Sequence, residues 1–177
     1  MNLKGKNVLF VIPNKNFRDE ELFSTREVLE SYGANTFVAC SDIREAVGML
    51  GKKAKINLSL DKVIVSNYDG VIFVGGSGST IYYENKTALN LLKEAKLKGK
   101  VIGGICLASG TLANAGILKG IKATGWTDTE DMIDDNGGVY TGSDVEISGR
   151  IITAKGPKNA KQFGEELSKA LAKDLSF

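Results

Sequence analysis

The chain has 177 residues, enough for one domain with a substantial core, and its 42% hydrophobic and 25% charged content is ordinary for a globular protein. Lys and Arg number 23 against 21 Asp and Glu, a formal net charge of +2, so charge gives no case for nucleic acid or an anionic membrane as the main partner. Histidine is absent, which removes the usual general base near neutral pH and the commonest metal ligand. With no Cys-x-x-Cys pair either, no metal site and no cofactor are expected.

The first apolar run, Val8 to Ile12, is continuous, as in a strand buried on both faces. It stops at Pro13, short of signal-peptide length and without a small-residue cleavage site. No stretch approaches the roughly 20 apolar residues that cross a bilayer. Cys40 and Cys106 lie far apart, which suggests reduced thiols and a cytoplasmic protein. Residues 19–32 read as a helix, with Leu22, Thr25 and Leu29 on one face and Gly33 as the stop.

A second strand is expected over 36–39, then a β-excursion over 43–60 turning at Gly48 and Gly51. Propensity alone also makes a strand of 63–65. The strand 71–74 runs into Gly75-Gly76, a helix follows at 86–98, and the strand 101–105 ends at Cys106. Residues 107–117 continue as a helix closed near Gly116. Thr127 to Asp135 reads as a short helix opened by a capping box, Thr127-x-x-Glu130. Residues 139–147 and 150–154 pair as a hairpin around Ser148-Gly149, and 158–172 form a last amphipathic helix. There is no internal repeat and no linker, so residues 1–177 are read as a single domain. Alternating strands and helices imply an α/β fold, a doubly wound, mostly parallel sheet with helices on both faces. Ligands bind such sheets outside the carboxyl ends of the strands, where Gly75-Gly76 and Cys106 both fall.

Cys106 sits in a run of small residues, Gly103-Gly104-Ile105-Cys106-Leu107-Ala108-Ser109-Gly110, which is similar to a nucleophile elbow between strand and helix. A thiol there projects above the sheet toward the N–H groups of the next helix, which favours a thiolate and a lowered pKa. The plainer alternative is a small buried hydrophobe. Gly75-Gly76-Ser77-Gly78 lacks the Lys of a phosphate loop and reads either as backbone donors for an oxyanion or as a simple flexible turn. Asp19, Glu20 and Glu21 open the first helix, where acidic residues usually serve only the helix dipole. Asp128, Glu130, Asp131, Asp134 and Asp135 do not have calcium-loop spacing and read as a solvated face.

Taken together, four segments resemble the ThiJ/PfpI (DJ-one/PfpI) superfamily, whose fold is like that of class I glutamine amidotransferases. They are Phe17-x-Asp19-x-Glu21-Leu22, Tyr68-Asp69 with Gly75-Gly76, Gly103 to Cys106 with Leu112 to Gly120, and Ile151 to Pro157. The resemblance spans essentially the whole chain. It implies a flavodoxin-like sheet, a homodimer or larger assembly, and Cys106 as nucleophile or redox-sensing thiol. It further implies Glu21 as a protonated partner of the thiol, backbone N–H donors at Gly75, Gly76 and Leu107, and a turn rather than a strand at 62–65.

Against the family pattern, Leu107 stands where protease-like members carry a His, and Thr80 where they carry a Glu. Trp126 stands where the DJ-one branch has a His near the thiol, which makes it a pocket residue, and Ala108-Ser109 replaces a Gly-Pro. The implied activity is glyoxalase- or deglycase-like, on a small carbonyl compound. The alternative is a stress-response protein, redox-sensing or chaperone-like, whose partner is an oxidant. A Cys–His peptidase is excluded because there is no His.

Overall fold

The computed structural model describes residues 1–173. Its main sheet contains β1 (Asn7–Val11), β2 (Asn35–Cys40), β3 (Leu58–Ser59), β4 (Gly70–Phe73), β5 (Val101–Ile105), β6 (Val145–Ser148) and β7 (Ile151–Ala154). Their spatial order is β6-β7-β5-β4-β1-β2-β3, and every neighbour is parallel except β6 against β7. The chain first moves outward from β1 to β2 and β3, then returns to lay β4 on the other side of β1. That reversal makes the carboxyl ends of β1 and β4 the topological switch point, with β5 beside them.

Helices α1 (Asp19–Ser31) and α5 (Ala160–Ala172) pack together on one face, burying Leu22, Leu29, Phe163 and Leu167 with Val8 and Phe10 of β1. Helices α2 (Lys86–Leu97), α3 (Ala108–Asn114) and α4 (Glu130–Asp135) cover the other face, over Leu9, Val11, Phe73 and Ile102. Two adjacent glycines let both layers approach β5. A Cβ on Gly103 would lie 2.9 Å from the Phe163 ring of α5, and one on Gly104 would lie 2.7 Å from Leu112 of α3. Strand alternation sends these positions to opposite faces, so small residues here bring α3 close under the tip of β5.

Several elements differ from the sequence expectations. Residues 63–65 join no strand: short 3-10 turns occupy Leu60–Lys62 and Val65–Asn67, and Ile64 is 61% exposed. The Thr127 capping box does not form, because the chain makes a 3-10 turn over Thr127–Thr129 before α4 begins at Glu130, and neither start has a side-chain cap. The expected strand 139–147 is broken at Gly142, whose φ is +67°. Val139–Tyr140 pairs with Lys122–Ala123, while β6 turns at Gly149 into β7 as expected. The excursion does turn at Gly51 (φ +89°), but Gly48 lies within the strand Ala46–Gly48, which pairs in parallel with an unforeseen strand at Lys15–Phe17.

Candidate active site

Cys106 follows β5 and adopts φ +60°, one of two non-glycine residues with positive φ among the described residues. Such a conformation costs about 1–3 kcal/mol and persists only where its surroundings over-determine it. Here the Cys106 N–H donates to the Ala154 carbonyl at 2.9 Å, and its carbonyl accepts from the Trp126 N–H at 3.2 Å. The strained turn lifts the thiol off the sheet to the floor of a cavity of about 220 Å³, also lined by Arg18, Glu21, Met49, Gly76 and Trp126.

Glu21 comes from the first turn of α1 and is fully buried. The preceding residues dock that turn: Phe17 is buried, and the Arg18 N–H donates to the Gly75 carbonyl at 3.0 Å. Glu21 Oε2 accepts from the Gly75 N–H at 2.8 Å, while Oε1 is buried with no partner at hydrogen-bonding geometry among the described residues. Burial pushes this carboxyl up to about 8, against the opposing pull of the Cys106 thiol and the Gly75 N–H. It is therefore protonated at neutral pH and can place a proton beside the sulfur.

The Gly75-Gly76 pair is a close-approach site. A Cβ on Gly75 would lie 2.6 Å from the Ile105 carbonyl oxygen, 2.7 Å from Glu21 Oε2 and 2.8 Å from Cys106 Cβ. Gly76 adopts φ +101°, and a Cβ there would collide with the backbone at Asn16 and Arg18. The N–H groups of Gly76 and Leu107 both hydrogen-bond toward the Cys106 sulfur and favour its ionised form.

Two expectations need correction. The Gly75 N–H is spent on Glu21 and is not free to serve an oxyanion. The thiol is not a lowered-pKa group: burial first, then the charge of an ionised Glu21, push Cys106 up to about 12, and the two N–H donors only partly oppose this. Thiol and carboxyl are a coupled pair. The pair keeps both protons below about 8, and when the first leaves, both groups compete for the remaining one.

Two supporting residues escaped the sequence reading. Asp19 is buried, and its carboxylate accepts from the Leu50 N–H at 2.8 Å and the Lys52 N–H at 2.9 Å, tying down the loop that brings Met49 to the cavity. Its place in Phe17-x-Asp19-x-Glu21 was the available signal. Tyr83 donates its hydroxyl to the Leu107 carbonyl at 3.0 Å, bracing the residue whose N–H faces the sulfur, and no sequence pattern announced it. Among the described residues no group of three or more Cys, Asp or Glu is placed to hold a metal ion, and no helix is long and apolar enough to cross a membrane.

Comparison with known proteins agrees with the fold. An uncharacterized protein of Methanocaldococcus jannaschii is 42% identical over 98% of this chain and 86% of its own length. A Caenorhabditis elegans protein named a glutathione-independent glyoxalase is 28% identical over 94% of this chain and 89% of its own length. The crystal structure of a ThiJ/PfpI domain protein from Brachyspira murdochii superposes with a TM-score of 0.92 at 32% identity, covering 95% of this chain and 97% of that one. Residues 6–170 match the DJ-1/PfpI family, the family to which this chain therefore belongs.

Proposed function

We propose that Cys106 and Glu21 convert a small reactive carbonyl compound, methylglyoxal or a close analogue. The observation that carries this reading is the neutral, fully buried carboxyl held against a thiol at the floor of a small cavity. The relative named a glyoxalase supports it.

In the first step Cys106 Sγ forms a bond to the aldehyde carbon. The carbonyl electron pair moves onto oxygen, where the N–H groups of Gly76 and Leu107 receive it. The thiol proton reaches that oxygen through Glu21, giving a hemithioacetal. Glu21 then gives its proton to the ketone oxygen and takes one from the former aldehyde carbon, forming an enediol. It next returns that proton to the neighbouring carbon while accepting the proton of the first hydroxyl, which leaves an alcohol beside a thioester and Glu21 again protonated. Water hydrolyses the thioester to lactate and restores the thiol. The oxidation of one carbon is balanced by reduction of its neighbour, so no external oxidant or reductant enters.

Turnover should be slow. General acid–base assistance typically supplies about 10²–10⁴ in rate, and Glu21 must supply it alone in a chain without His. Methylglyoxal should yield lactate at a low rate that vanishes in Cys106→Ser. Absence of lactate from the wild-type protein, with a known glyoxalase active in the same buffer, removes the reading.

One observation favours a second reading, a redox-sensing thiol. Cys106 opens to the cavity, whereas Cys40 is fully buried with its sulfur bonded to Asn14 Oδ1 at 2.9 Å. A sulfinate on Cys106 would find the Gly76 and Leu107 N–H groups and a protonated Glu21 as donors. Mass spectrometry after mild peroxide should place added oxygen on Cys106 well before Cys40, and equal modification of the two would count against this role.

A further inference from the structure

The candidate catalytic cavity has an open side. Trp126 and Pro157 line it, and they also line a second cavity of about 610 Å³ beyond the indole. The two spaces therefore meet at one aromatic wall, with the thiol on one side. The second cavity carries Asp144, Lys155, Lys158, Asn159 and Gln162. Its polar groups are largely unspent. Among the described residues Lys155 Nζ reaches only the Gly142 carbonyl, at 3.4 Å. Lys158 has no ion pair or side-chain hydrogen bond among the described residues, and neither lysine is paired with Asp144. Asn159 makes no capping bond to α5.

We propose that this second cavity is an anion subsite, which holds the carboxylate or phosphate of a substrate whose carbonyl carbon is presented to Cys106. The inference rests on the carbonyl reading above and adds its substrate class. Two ammonium groups against one carboxylate leave the lining positive, and a concave wall concentrates that field more than a flat surface does. An anionic oxygen placed there would gain charge-assisted hydrogen bonds that methylglyoxal cannot make. Asp144 discourages a second negative group at its own end of the cavity. Trp126 and Pro157 line both spaces, so the proposal has one molecule pass over them from the lysines to the sulfur. On this reading methylglyoxal fills only the smaller cavity, and the better substrate carries an acidic group beyond its carbonyl.

The test uses Trp126, the only tryptophan of the chain, as its reporter. Cys106→Ser protein is titrated with inorganic phosphate and separately with acetate, at constant ionic strength set by chloride, and indole emission is followed. A saturable change is expected with at least one anion, and the stronger response identifies the group the subsite prefers. In the protein that also carries Lys155→Gln and Lys158→Gln, the affinity should fall about tenfold or more, as expected for loss of charge-assisted contacts. No saturable response to either anion, or equal affinity with and without the two lysines, overturns the subsite. The carbonyl reading is judged separately, by lactate formation from methylglyoxal in the wild-type protein. Lysine-dependent anion binding without lactate supports the subsite and sinks that chemistry, and lactate without anion binding does the reverse.

Discussion

Replacing Glu21 with Gln should make the protein more stable, and the gain should grow as pH rises from about 5 to 8. The folded-state carboxyl titrates at about 8 against an ordinary value of 4.5. Between those values the native protein holds a proton that the unfolded chain has released, so raising the pH favours unfolding. The stability linked to this proton is fully present below 4.5 and is lost as pH climbs through about 8. Each pH unit in that window costs about 1.4 kcal/mol, and the whole window is worth on the order of 5 kcal/mol. Glutamine has the same shape and nothing to ionise. Its amide oxygen can keep the Gly75 N–H bond, and its NH₂ can face the sulfur. Urea midpoints at pH 5 and pH 8 should therefore fall steeply in the wild type and much less in Glu21→Gln. Parallel slopes would mean that Glu21 is ionised in the folded protein. The same variant should change how the thiol responds to pH. Alkylation of Cys106 in the wild type should show the first ionisation of the pair near 8, whereas Glu21→Gln should show one ionisation, below the wild-type thiol's value of about 12 because Glu21 no longer adds its charge.

The strongest sequence signals were those that physics ties to neighbouring residues in the chain. Val71 to Val74 and Val101 to Ile105 are buried on both faces, and their continuous apolar runs announce it. The turn at Cys106 was legible because small residues must flank a strained elbow. What the sequence could not convey was set by distant partners. Asp19, Glu20 and Glu21 look alike as an acidic first turn, yet each has a different fate. The loop at residues 48–52 buries Asp19, Arg18 pairs with Glu20 at 2.8 Å, and Gly75 with Cys106 surrounds Glu21. No periodicity separates those three roles. Val63 and Ile64 have strand propensity, yet they join no strand and lie between 3-10 turns at Leu60–Lys62 and Val65–Asn67. The thiol's titration is illegible in the sequence for a related reason. A helix start is visible in sequence, but the depth at which the turn buries the sulfur is not, and burial outweighs the two N–H donors.

Gly75→Ala should disable the site more thoroughly than its single methyl group suggests. Gly75 is not in the left-handed region, so the added methyl itself and not the backbone conformation causes the damage. The methyl must enter a space bounded by the Ile105 carbonyl oxygen at 2.6 Å, Glu21 Oε2 at 2.7 Å and Cys106 Cβ at 2.8 Å. Two of these contacts belong to the thiol and its carboxyl partner, so relief of the clash must pull the pair apart or move the Gly75 N–H off Oε2. Overpacking of this kind costs about 1–3 kcal/mol in stability. Misplacing a preorganised donor or proton carrier costs about 10²-fold or more in rate. Gly149→Ala separates the two effects. Gly149 turns the β6–β7 hairpin at φ +64°, and beyond its chain neighbours a Cβ there meets no atom of the described residues within 4 Å, so that variant suffers backbone strain alone. Both variants should unfold at lower urea than the wild type. Only Gly75→Ala should also lose Cys106-dependent lactate formation and show a slowed, pH-shifted alkylation of Cys106 under conditions where it remains folded. If Gly75→Ala kept wild-type alkylation across the pH range, the carboxyl could not be controlling the thiol through this contact, and Glu21 would have to be reassigned as a purely structural residue.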